Sequence, residues 1–150
     1  PKQLNYIQKK LIDINYHIYG SPKYLEKHGF PKSTSDLNKH SFISFGRGAP
    51  SPVYNPDWAL KLGTKDNKKR KTVMKVNSVY GLLLAVQSGV GLAALPDYIT
   101  VNQPNIVKVL PNIEGPITEA HFVYPQSMKN VARVQAFRNF LYSKISEWEF

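Results

Sequence analysis

No cysteine occurs in this chain, which excludes disulfide staples, thiolate metal sites and thiol nucleophiles. Long hydrophobic runs are missing too: the longest apolar stretch, residues 81–86, falls far short of the roughly 20 residues that span a bilayer. No charged start followed by an apolar core marks a secretory signal, and the first residue is Pro1 rather than Met. The chain is therefore read as a piece of something longer, with no membrane partner and a cytoplasmic location. Enzyme motifs are equally sparse. His17, His28, His40 and His121 show neither the i, i+4 spacing of a helical zinc pair nor a carboxylate arranged beside them, so they are expected as surface or interface histidines, with no metal site. No serine stands in a nucleophile elbow and no P-loop occurs. Asp97, Glu114 and Glu119 are read as isolated surface acids rather than as a catalytic pair. No catalytic residue and no cofactor are expected.

Acidic residues are scarce, 10 against 20 Lys and Arg, and the resulting net charge of +10 invites a nucleic-acid reading. Distribution decides its worth. Lys61, Lys65, Lys68, Lys69, Arg70, Lys71 and Lys75 crowd one stretch around the run KDNKKRK, between two strand-like segments at residues 58–62 and 72–76. This pattern predicts a β-hairpin whose basic tip is solvated. A phosphate-contacting tip and contact with a partner's acidic surface are the lesser readings, and the lack of an aromatic residue within the run to stack on a base lowers a single-strand role further.

At 150 residues and 42% hydrophobic, the chain is long enough for one core and short for two. Residues 15–19 alternate like a strand, and Ser21 and Pro22 open a short helix that Gly29 and Pro31 stop. A helical turn at residues 35–38 and a strand at 41–45 follow. Gly46, Gly48, Pro50, Pro52 and Pro56 then impose a loop. The most informative stretch is VNSVYGLLLAVQSGVGLAALPDYI, residues 76–99. It reads as a strand end, a helix capped by Asn77 or Ser78, a glycine turn at Gly89 and a second buried strand. A helix start of this kind presents unpaired N–H groups and the positive end of its dipole, which together favour an anion. Gly89, Gly91 and Ala94 match the dinucleotide fingerprint G-x-G-x-x-A, but here the glycines follow a helix and lead into a strand, the reverse of the required order. Further strands are expected at 106–110 and 120–124. Apolar positions recurring at three and four predict a long amphipathic helix over 130–148.

In sequence order, YGSPKYLEKHGFP (residues 19–31), the D-L-x-x-H element at Asp36, Leu37 and His40, Trp58 with Leu60, VNS…LLLAVQSGVGLAALPDYI, IVKVLP (106–111), FVYP (122–125) and RVQAFRNFL (133–141) resemble the effector-binding domain of LysR-type transcriptional regulators. The resemblance implies an α/β fold like that of type 2 periplasmic solute-binding proteins, with a mixed sheet flanked by helices. It implies part of a first lobe and a crossing strand at residues 1–20, a nearly complete second lobe at 21–119, and a return strand and closing helix at 120–150. The winged helix-turn-helix, the linker helix and the first half of the first lobe have no counterpart in these residues.

The function implied is sensing: a small, anionic effector held between lobes controls transcription, and promoter DNA is a partner only through the N-terminal domain that is missing here. By the same resemblance Asn77, Ser78 and Val79 form the second lobe's share of the effector site, with Ser44 and Phe45 as further lining residues. Only half a pocket is expected in this chain. A homo-oligomer is also implied, with the helix at 78–88 as a contact face, and the apolar side of residues 131–148 must be covered by self-association, a missing segment or disorder. The competing reading is a solute-binding protein of the same fold serving uptake; the closing helix directly after FVYP favours the regulator.

Overall fold

The chain's apolar segments are short and separated by glycine, proline and polar turns, which limits most strands to a few residues. A computed structural model describes residues 5–46 and 57–148. In chain order they form β1 (Tyr6–Ile14), β2 (Tyr16–Gly20), α1 (Pro22–His28), β3 (Phe42–Phe45), α2 (Trp58–Lys61), β4 (Thr72–Val76), α3 (Val79–Gln87), β5 (Ala93–Pro96), β6 (Val107–Val109), β7 (Thr118–Pro125) and α4 (Ala132–Ile145). The loop expected over residues 46–56 lies, beyond Gly46, outside the described residues. Two compact units result, one of Pro1–Ile14 with Glu119–Phe150 and the other of Asn15–Thr118. The boundaries expected from the resemblance stand at 20/21 and 119/120.

The larger unit is built around β2, whose five residues are all buried. It pairs antiparallel with β5 on one side, Ile18 opposite Ala94, and with β6 on the other, Ile18 opposite Val109. Beyond β5 the sheet continues through backbone bonds from Ile43 N to Leu92 O (2.8 Å) and from Leu92 N to Ser41 O (2.9 Å). Gly91 makes that approach possible, since a Cβ there would stand 2.6 Å from Ser41 O. With Gly89 at φ 78°, the glycines of the false dinucleotide match are accounted for by the helix-to-strand turn.

One face of this sheet is covered by α3, whose Leu82, Leu83 and Val86 pack against Tyr19, Ile43, Ala93 and Leu95. Burying each such aliphatic side chain contributes about 1.5–3 kcal/mol. Ser21 caps α1 by accepting from Tyr24 N at 3.3 Å, and Pro22 occupies its first turn.

The expected hairpin over 58–76 does not form. Residues 58–61 make a helical turn, α2, with Trp58, Ala59 and Leu60 all buried. The strand β4 pairs instead with β3, in parallel, placing Ser44 beside Lys75 and Phe45 beside Val76. Four consecutive residues burying three carry neither a helical nor a strand period, so local pattern could not separate the two.

In the smaller unit β1 and β7 form a two-stranded sheet, and Tyr142 on α4 donates to Lys10 O at 2.8 Å. Lys10 also bridges Asp13 (2.7 Å) and Glu119 (3.1 Å). Phe122 meets Phe137 edge-on at 5.8 Å between ring centroids. The helix stands where its periodicity placed it, yet none of its residues is buried, and Phe137 and Phe140 remain 53% and 55% exposed.

Candidate functional site

Parallel strands that end side by side bring their carboxyl ends together where the following helix begins. The β3/β4 pair does this. Gly46 N donates to Val76 O at 2.9 Å, holding the two strand exits together, and α3 starts three residues after Val76. Ser78 is the cap: its backbone is extended at φ −135°, ψ 132°, and its Oγ accepts from Gly81 N at 3.3 Å. Gly81 is fixed by packing, because a Cβ at that position would lie 2.7 Å from Val76 Cγ1.

The cap satisfies one donor of the first turn. The N–H groups of Val79 and Tyr80 have no intrahelical acceptor, and no acidic residue stands in this turn to neutralise the dipole. Asn77 and Ser78 are exposed, Val79 and Phe45 half-buried, and Ser44 buried. All five predicted site residues lie on or next to the carboxyl end of the β3/β4 pair, but not on one face of it. Alternation along β3 directs Phe45 with Ile43 toward the α3 side, while Ser44 shares the opposite face with Phe42. The structure thus brings Asn77, Ser78, Val79 and Phe45 together at the helix start and leaves Ser44 behind the strand.

Two polar clusters differ from expectation. Asp97 is no surface acid: it is 5% exposed, and His17, 8% exposed, places Nδ1 2.8 and 2.9 Å from its two carboxylate oxygens. Tyr19 donates to Asp97 Oδ1 at 2.9 Å and Lys108 to Oδ2 at 3.1 Å. Burial, and then the hydrogen bond and charge of Asp97, hold the Tyr19 phenol well above its ordinary range. His17 and Asp97 are 80 residues apart, so no local signal could pair them. His40 is buried as well, its ring 5.7 Å from that of Tyr24, and its Nδ1 has no partner. Burial, and then the nearby His28, push its imidazole below the ordinary histidine value. His121, by contrast, is exposed as expected and lies 3.4 Å from Glu119.

Among the described residues no group of three or more His, Asp or Glu could hold a metal ion, and no helix is long and apolar enough to cross a membrane. A cleft of about 380 Å³ opens in the smaller unit between Lys9, Tyr124, Lys129, Gln135 and Arg138. None of the predicted site residues lines it.

Residues 2–145 match the family model described as the LysR substrate binding domain. A curated relative, an uncharacterized HTH-type transcriptional regulator of Haemophilus influenzae, is 29% identical over 123 residues, covering 79% of this chain and 41% of its own length. The HTH-type transcriptional regulator CrgA of Neisseria meningitidis serogroup B is 25% identical over 141 residues, covering 91% of this chain and 46% of its own. The chain thus spans less than half the length of the curated relatives it matches. Among solved structures, the CrgA regulatory domain superposes with a TM-score of 0.78 at 23% identity, over 97% of this chain and 71% of that one. The regulatory domain of AphB from Vibrio vulnificus gives 0.67 at 15% identity, over 96% and 71%. The fold expected from the resemblance, a periplasmic-binding-protein-like α/β arrangement, is the fold these domains share.

Proposed function

Because the chain belongs to the LysR substrate binding domain family, we propose that it is the effector-sensing part of a DNA-binding transcriptional regulator, taking a small anionic ligand at the start of α3. The observation that carries this reading is the convergence of Asn77, Ser78, Val79 and Phe45 at the carboxyl end of a parallel strand pair, around a helix start with no carboxylate of its own. A carboxylate or similar oxyanion there accepts from the Val79 and Tyr80 N–H groups and from the Asn77 amide, while Phe45 and Val79 offer apolar contact to the rest of the molecule. Ligand occupancy then shifts the population of conformers that an attached DNA-binding domain senses. Promoter DNA is reached through that other domain, and the exposed Tyr80 and Leu84 of α3 give a contact face for a second copy. Work of this kind is done in the cytoplasm. Membership of a regulator family and relatives named as transcriptional regulators favour this role over uptake and over catalysis.

Thermal unfolding against a panel of small carboxylates, inorganic phosphate and sulfate tests the reading. A binder raises the midpoint by mass action. Asn77→Ala lowers that shift, and so does Ser78→Gly, a change that costs only a few tenths of a kcal/mol in capping. An anion that stabilises the wild type and both variants equally would move the site elsewhere in the fold.

A further inference from the structure

The basic run at residues 65–71 takes no part in the ligand site, and it is not a free loop. Arg70 ties it down. Its Nε donates to Asn38 Oδ1 at 2.9 Å, one terminal nitrogen to Ala59 O at 3.1 Å and the other to Thr34 O at 3.1 Å, with the guanidinium carbon 5.6 Å from the centroid of the Phe42 ring. A second contact presses the same segments together: a Cβ at Gly63, where φ is +67°, would lie 2.5 Å from Thr34 Oγ1 and 2.6 Å from Thr34 Cβ. Two stretches distant in sequence, 32–39 and 61–71, therefore form one double loop on the larger unit.

The double loop gathers cations. Lys32 and Lys39 come from the first stretch and Lys65, Lys68 and Lys71 from the second, all exposed. The carboxylates among them are largely engaged. Asp36 accepts from the Ser33 hydroxyl at 2.8 Å and from the Ser33 and Lys32 N–H groups, with Lys39 3.5 Å away, and Asp57 is held by Lys69 at 2.5 Å. Asp66 remains as the exposed acid of the run. Ammonium groups on flexible stems meet phosphates as point charges, without the geometric demands of a guanidinium fork. Such charges bind a phosphate backbone irrespective of its sequence by releasing condensed counterions.

We propose that this double loop is a sequence-independent contact surface for the phosphate backbone of duplex DNA. Arg70 serves as the clamp that assembles it and the five exposed lysines as the contacts. The proposal goes beyond ligand sensing and shares no residue with the site at Ser78.

The test is fluorescence anisotropy of this chain with a random-sequence duplex of roughly 25 base pairs, titrated across a salt series from about 20 to 300 mM. Two variants of equal charge change are compared: Lys32, Lys39, Lys65, Lys68 and Lys71 all to Gln, and, as control, Lys9, Lys23, Lys129, Arg133 and Lys144 all to Gln. All these side chains are exposed, and circular dichroism with a thermal melt establishes that both variants fold. The first variant is expected to lose at least about tenfold in affinity at low salt and to lower the log–log salt slope by about 0.9 for each phosphate contact removed. The control should lose much less. Equal weakening in the two variants, or wild-type binding that ignores salt, would overturn the proposal. So would tighter binding of single-stranded DNA that depends on Phe30, which is exposed two residues before Lys32.

Discussion

Gly81, in the first turn of α3, lies so close to Val76 at the end of β4 that a Cβ at position 81 would stand 2.7 Å from Val76 Cγ1. Alanine here gains up to about 1 kcal/mol in helix propensity but forces a β-branched neighbour aside, at about 1–3 kcal/mol. Gly81→Ala is therefore expected to lower the unfolding midpoint, and Val76→Ala in the same chain to recover part of the loss in a double-mutant cycle. Independent, additive effects would show that the two residues do not press on each other.

The Asp97 cluster should dominate the polar energetics of the larger unit. Asp97→Ala leaves His17, Tyr19 and Lys108 facing a vacated site, at a cost of about 3 kcal/mol by urea unfolding. Tyr19→Phe removes one of the hydrogen bonds to the carboxylate and leaves the carboxylate in place, so it costs nearer 1 kcal/mol. Equal losses from the two substitutions would mean that the carboxylate is not the hub.

In the sequence Arg70 is one more cation of a solvated run; three hydrogen bonds and the Phe42 ring make it a structural tie. Arg70→Lys keeps the charge and loses the planar fork, so it is expected to destabilise almost as much as Arg70→Ala, by about 2 kcal/mol. Wild-type stability in the lysine variant would return Arg70 to the solvated class.

His40 gives the chain an acid-sensitive component. Its folded-state pKa is lowered below the unfolded value of about 6.5, so below that pH the unfolded chain binds more protons at this position than the native one. The stability contributed by neutral His40 is present above about pH 6.5 and is lost as pH falls toward the folded value. The groups around it include His28, Asp36 and Lys39. His40→Phe should flatten the melting midpoint between about pH 7 and 5 relative to wild type; parallel curves would contradict this.

Local chemistry made much of the fold legible. The Ser21–Pro22 start and Gly29 stop of α1, the Ser78 cap and the Gly89 turn each depend on residues within a few positions, and each stands where the sequence placed it. The β3/β4 pairing was not legible, because a parallel pair has no turn to announce it and the buried Trp58–Lys61 segment imitates a strand. Long-range polar pairs were hidden for the same reason: nothing near His17 points to a carboxylate 80 residues away. The helix start at Asn77, Ser78 and Val79 was legible because its residues are consecutive, whereas Phe45 and Ser44 came from the family resemblance, since nothing local places the end of β3 beside that helix. Ser44 fell on the other face by the two-residue alternation that a strand imposes.

The central claim is that the α3 start receives an anion, and amide chemical shifts of the isotopically labelled chain test it most directly. Titration with small carboxylates and phosphate should move the Val79, Tyr80 and Gly81 amides first and saturably, with Phe45 following and the Lys9, Lys129 and Arg138 cleft unmoved. Saturable shifts confined to that cleft, with the first turn of α3 silent, would contradict the account.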